Sequence, residues 1–220
     1  MRKNSSEQKI FRYTGLALLI AEIAKQLFLT FAVNGGTCSW WDLPWQLCSI
    51  PMYVCLAAGF LPAGRIYDAC LSFLSTFGLL AGCCAFLDTS GFNLGHPVLT
   101  LHSWLYHFAI IAIGIYAGKK RLSHAFLPPL LLFLFAAAVA EILNVSCFNA
   151  GLRPINMFYI SPKYIFPQMI IKDLVPVIGN NGAILLYICV IIAGAWLLNG
   201  AWQILHRRAD DGRAGKTSES

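Results

Sequence analysis

The chain has 220 residues, of which 58% are hydrophobic and 12% charged, with a net charge of +6 and a mean hydropathy of +0.65. An ordinary soluble domain carries about a quarter charged residues, so this composition excludes a soluble enzyme and equally excludes a disordered chain. No basic run points to nucleic acid, and the eight cysteines include no C-x-x-C pair, which argues against a zinc site or a disulfide-rich ectodomain. No metal and no other cofactor is expected, and the partners expected are membrane lipids.

Six apolar stretches predict an all-α fold, a polytopic membrane protein built as a bundle of six transmembrane helices in the cell membrane. They run Tyr13 to Val33, Trp45 to Leu61, Asp68 to Leu87, Val98 to Gly118, His124 to Asn144, and Asn181 to Leu205. The first is too long for a signal peptide and no small-x-small cleavage site follows, so it reads as a retained helix. Residues 1–12 read as a cytoplasmic arm, 13–206 as the membrane domain with a long outer connection over 145–180, and 207–220 as a disordered cytoplasmic tail.

Orientation follows from the basic residues of the connections. Arg2, Lys3, Lys9, Arg12, Arg65, Lys119, Lys120, Arg121, Arg207, Arg208, Arg213 and Lys216 fall on one side; Arg153, Lys163 and Lys172 fall on the other. The positive-inside rule places both termini in the cytoplasm.

Polar side chains within spans are expensive in hydrocarbon and are functional candidates by default. In the first span Glu22, Lys25 and Gln26 share a face; the plain reading is an intrahelical ion pair packed against neighbours. In the second, Pro51 cannot donate to the carbonyl of Leu47, which predicts a loosened helix beside Cys48, with Gln46 close by. A lone membrane cysteine is ordinarily inert filler. The fourth span puts Ser103 and His107 on one face and His102 and Tyr106 on an adjoining one; a histidine titrates near neutrality and can move protons. The fifth ends with Glu141 and Asn144 at i, i+3.

With the N-terminus inside, Lys25, Gln26, Gln46, Cys48, His102, His107, Glu141 and Asn144 all fall in the outer half of the membrane, with Glu22 near the middle. Polar groups from four helices at one depth predict an internal site. The outer connection, with four prolines and apolar patches such as Met157-Phe158-Tyr159-Ile160, is too apolar for disorder and predicts a lid on the outer face or a re-entrant segment. Cys38 and Cys147 flank spans on that side, where an oxidising environment permits a bridge; two free thiols are the plain alternative.

The chain resembles the YwaF-type integral membrane family, related to the eukaryotic transmembrane-protein-164 acyltransferases. Three short elements carry the resemblance: Pro44-Trp45-Gln46-Leu47-Cys48 opening the second span, Leu105-Tyr106-His107 in the fourth, and Asn156-Met157-Phe158-Tyr159-Ile160-Ser161-Pro162 before the last. It departs from the family pattern at Gln46, where a histidine is usual, and at Asn156-Met157, where Asn-Tyr is usual. The resemblance implies phospholipid acyl transfer with Cys48 as nucleophile and His107 as base. The residues permit that chemistry, since a thiolate is the attacking form and an imidazole can generate it. Gln46 or Asn144 would serve as oxyanion donor, and Glu141 would orient the imidazole. Two other readings stay open: a proton-coupled transporter or channel relaying through His107, Glu141, Glu22 and Lys25, and a non-catalytic lipid-binding or sensing protein.

Overall fold

The computed structural model describes residues 5–89, 92, 95–121 and 123–218, and the regular structure among them is all helix. Helix α1 covers Ser5–Phe28 and is prolonged by a π turn, Leu29–Val33. A 3-10 turn at Trp40–Asp42 precedes α2, Ile50–Phe60. Helices α3 (Arg65–Phe73) and α4 (Leu79–Leu87) form one rod through a second π turn, Leu74–Gly78. Then come α5 (Pro97–Lys120), α6 (Leu127–Asn149), 3-10 turns at Met157–Tyr159 and Ile171–Leu174, and α7 (Val175–Ser218).

Among the described residues five stretches are long and apolar enough to cross a membrane: Ser6–Val33, Arg65–Leu87, Pro97–Lys120, Leu127–Asn149 and Ile171–Asp211. This is a multi-pass membrane architecture. Three boundaries differ from the sequence reading. Residues 5–12 of the expected arm are already helix. Residues 207–218 of the expected disordered tail continue α7. The third difference is α2, which has 11 residues and so spans only ~16 Å at ~1.5 Å per residue.

Proline explains the short α2. Pro51 lies in its first turn, where a missing N–H is one of the orphan donors anyway. It therefore starts the helix instead of loosening one, and Cys48 sits in the turn before it. Residues 45–49 are held in tight turns by Trp45 N–H to the Leu43 carbonyl (2.8 Å) and Ser49 N–H to the Gln46 carbonyl (2.8 Å). The indole Nε1 of Trp45 anchors the segment to the Ala136 carbonyl of α6 at 3.1 Å. The outer connection fills the depth that α2 leaves: Ile155, Asn156, Met157 and Phe158 are buried, and the three apolar ones share a core with α2, α3 and α6.

Helix ends gather by charge. Gln8 donates to the Leu61 carbonyl (2.8 Å) and Arg12 to that of Gly59 (3.0 Å), while Glu7 pairs with Lys120 at 2.9 Å. Phe11 meets Tyr67 edge-on. One end of the bundle thus holds the starts of α1, α3 and α6 and the ends of α2, α5 and α7, together with Arg12, Arg65, Lys119, Lys120, Arg121 and Arg207. Near the middle Phe73, Phe77 and Phe133 stack with centroids 5.6 and 4.7 Å apart, joining α3, its π turn and α6.

Glycine sets the α1–α2 spacing. A Cβ on Gly59 would lie 2.6 Å from the Arg12 Cα, and one on Gly15 would lie 2.8 Å from the Leu56 nitrogen. The two backbones touch, as small residues allow between membrane helices. Gly59→Val must separate them, and we expect a destabilisation of about 1–3 kcal/mol, read as a lower melting temperature of the detergent-solubilised protein; an unchanged melt contradicts this packing.

At the basic end Arg121 is buried and donates to Ser75 Oγ (3.2 Å), to Asn199 Oδ1 and to His124 Nδ1 (3.3 Å). An arginine only donates, so His124 accepts on Nδ1 and carries its hydrogen on Nε2, which donates to His206 Nδ1 at 3.2 Å. Burial, then the charges of Arg121, His206 and Arg207, lower the His124 pKa. Neutral His124 is what the fold needs, so the unfolded chain binds the extra proton. The stability is complete above the unfolded histidine value of about 6.5 and is lost as pH falls below it. Melting temperatures from pH 8 to 5.5 should fall more steeply for the wild type than for His124→Gln; equal slopes contradict the assignment.

Candidate functional site: a polar cavity between the helices

A cavity of about 520 Å³ lies between α1, the 41–49 segment, α4, α5, α7 and the outer connection. The volume is that of a ligand pocket, ~300–1,000 Å³. Its polar wall carries Glu22 and Lys25 from α1, Asp42, Gln46, Cys48 and Ser49 from the segment before α2, and His102, Ser103, Tyr106 and His107 from α5. Its apolar wall is Leu47, Ala81, Ala85, Phe92 and Ile191. Tyr159, Pro167 and Gln168 of the outer connection border it, with Trp41, Leu43, Cys84, Asp88 and Tyr187 completing the lining.

Cys48 and His107 therefore line one cavity from separate elements. His107 is buried, its ring stacked on Phe92 with centroids 4.8 Å apart and edge-on to Phe86 at 6.3 Å. Its Nδ1 lies 2.7 Å from the Ser103 carbonyl one turn back. A carbonyl only accepts, so Nδ1 carries the hydrogen and Nε2 keeps its lone pair. The part expected of Glu141, orienting this imidazole, is taken by the Ser103 backbone. No hydrogen bond joins His107 to Cys48 among the described residues. His102 stacks flat on Tyr106 (5.4 Å, 25°) and leans toward the Ala21 backbone without completing a hydrogen bond.

The first-helix polar groups form the ion pair that their spacing suggests. Lys25 Nζ is 2.6 Å from Glu22 Oε1, and Gln26 donates both to that oxygen (3.0 Å) and to the Asp42 carbonyl. The pair is packed, as the plain reading has it, and it also borders the cavity.

Glu141, Asn144 and Asn156 do not line the cavity. Asn144 is buried and closes a ring with Met157: its Oδ1 accepts from the Met157 N–H (2.6 Å) and its Nδ2 donates to the Met157 carbonyl (3.1 Å) and to Glu141 Oε2 (3.3 Å). Asn156 Oδ1 caps the Ser161 N–H at 2.9 Å. Gln46 faces the cavity yet grips the same loop, donating to the Asn156 carbonyl (3.0 Å) and accepting from the Phe158 N–H (2.8 Å). These amides are bound to loop backbone, which makes the oxyanion roles expected of Gln46 and Asn144 untenable for Asn144 and strained for Gln46. Cys38 and Cys147 are free thiols, the plain alternative of the sequence reading: Cys38 is exposed, while Cys147 packs against the core.

Comparison with family models, with curated proteins and with solved structures finds no match to this chain. The site stands on its own geometry.

Sequence reasoning missed Tyr159, Tyr187, Cys84 and Gln168. Only Tyr159 had a signal, since it sits in an Asn- and Pro-flanked aromatic stretch of an outer connection too apolar to be loose. Burial raises the Tyr159 phenol pKa, so it remains protonated across neutral pH.

Proposed function

We propose that the chain crosses the membrane six times with both ends in the cytoplasm, and that the outer-half cavity is a Cys/His acyl-transfer site for phospholipid esters. The basic residues gathered at one bundle end support the orientation. One observation carries the chemistry: Cys48 and His107 line the same cavity while the Ser103 carbonyl commits His107 Nδ1, leaving Nε2 as a base.

In this reading His107 Nε2 takes the proton of Cys48 Sγ, and the thiolate attacks the ester carbonyl carbon. The carbon–oxygen bond breaks, His107 returns the proton to the departing alcohol oxygen, and lysolipid leaves an acyl thioester on Cys48. A second alcohol, losing its proton to His107, reverses the sequence and regenerates the thiol. The apolar wall accommodates acyl chain, and an ester near the headgroup boundary matches a site in the outer half.

The buried Glu22–Lys25 pair in the same cavity favours a second reading, a proton-coupled carrier in which His107 relays protons. Phosphatidylcholine vesicles with a labelled acyl chain separate the two. Acyl transfer predicts a labelled adduct on Cys48 by mass spectrometry, absent in Cys48→Ala, slowed about 10²- to 10⁴-fold in His107→Ala, and retained in Cys55→Ala, whose thiol is buried in the core away from the cavity. A wild-type protein with no adduct, but with proton flux in proteoliposomes that His107→Ala stops, contradicts the enzyme and supports the carrier.

A further inference from the structure

Acyl transfer needs a donor for the oxygen that becomes negative when the thiolate attacks. Among the cavity's polar groups Gln46, His107 and Lys25 are already committed, while the His102 ring lies flat on Tyr106. Gln46 has its oxygen and nitrogen on the loop backbone, and Asn144 lies outside the cavity with its amide engaged by Met157 and Glu141. His107 is tied to Ser103. Lys25 is held by Glu22. Of the groups left, His102 is a base as well as a donor, and the three tyrosines are the donors that stay protonated. The Tyr106 hydroxyl lies against Met52 Sδ at 3.9 Å, and the Tyr187 ring packs on Phe166 of the outer connection at 5.2 Å.

Tyr159 differs in its backbone. It and Phe158 have φ of +58° and +56°, a left-handed conformation that non-glycine residues seldom adopt. Two consecutive strained residues persist only where their surroundings over-determine them, and such strain gathers at functional sites. Here the surroundings are identified: Gln46 grips both sides of Met157, at Asn156 and Phe158, and Asn144 grips Met157 itself. The strained turn puts Phe158 into the core, against Phe133 at 6.1 Å, and puts Tyr159 on the cavity wall, 6.2 Å from Trp41. Gln46 also sits two residues before Cys48, so one side chain fixes the distance between the thiol's turn and the tyrosine's turn.

We propose that Tyr159 is the oxyanion donor of this site, its hydroxyl donating to the ester carbonyl oxygen as charge develops there, and that Gln46 is its positioning residue. The proposal rests on the acyl-transfer reading. The hydroxyl keeps its proton throughout; it lends a hydrogen bond and takes part in no bond making.

The full chain in detergent, mixed rapidly with p-nitrophenyl palmitate, releases one equivalent of nitrophenolate as Cys48 is acylated. Tyr159→Phe keeps the ring against Trp41 and removes only the donor. The burst rate should fall about 100- to 1,000-fold with the half-saturating ester concentration unchanged, and Gln46→Leu should lower the rate while Gln46→Asn recovers part of it. A Tyr159→Phe burst at the wild-type rate overturns the donor assignment alone. A wild-type protein that gives no burst overturns the acyl-transfer reading, and the donor assignment falls with it. A Tyr159→Phe protein that weakens ester binding without slowing the burst assigns Tyr159 to packing and overturns the proposal.

Discussion

Everything at the cavity end of this bundle depends on how a stretch of irregular backbone is satisfied where water is scarce. An unpaired peptide group in hydrocarbon costs several kcal/mol, so non-helical chain at membrane depth persists only where protein supplies the partners. Three carboxamides supply them. Gln46 holds Asn156 and Phe158, Asn144 holds both polar groups of Met157, and Asn180 holds the Tyr164 carbonyl (2.9 Å) and the Phe166 N–H (2.8 Å). Each amide donates and accepts at once, which a carboxylate or an ammonium cannot do. The fit is not complete: the buried Asn156 Nδ2 has no partner, a residual cost that the burial of Met157 and Phe158 offsets.

From that constraint the cavity follows. The helix α2 is too short to fill its place, the inserted connection fills it instead, and the space left beside the short helix is walled by the connection on one side and α5 on the other. Cys48 stands in the turn that a full-length helix would have absorbed. Had Pro51 lain mid-helix, Cys48 would point from a helix face and the connection would have no gap to enter. The strain at Phe158 and Tyr159 belongs to the same arrangement, since the chain must reverse within a few residues to present one aromatic ring to the core and the next to the cavity.

The long apolar stretches were legible in the sequence because hydropathy reports burial in lipid directly. The gathering of Cys48, His107, Gln46 and Lys25 around one cavity was legible too, from their matching places along the chain. What misled was the rule that a polar residue in a span marks chemistry. It led to the cavity for His107 and away from it for Asn144 and Glu141, because the loop backbone that Asn144 serves is itself invisible to hydropathy. The length of α2 was masked for a related reason: Trp45 and Leu47 are apolar whether they are helical or in turns. The turn that carries Tyr159 to the cavity wall was hidden because φ at a single residue leaves no mark on composition.

The central claim, that the outer connection is inserted and held by side-chain amides, is tested most directly by amide hydrogen exchange of the protein in lipid nanodiscs. The account predicts that Met157 and Phe158 exchange as slowly as the buried turns of α5, and that Gln46→Leu releases Phe158 selectively. Exchange of both amides in the wild type at the rate of an open loop would contradict it.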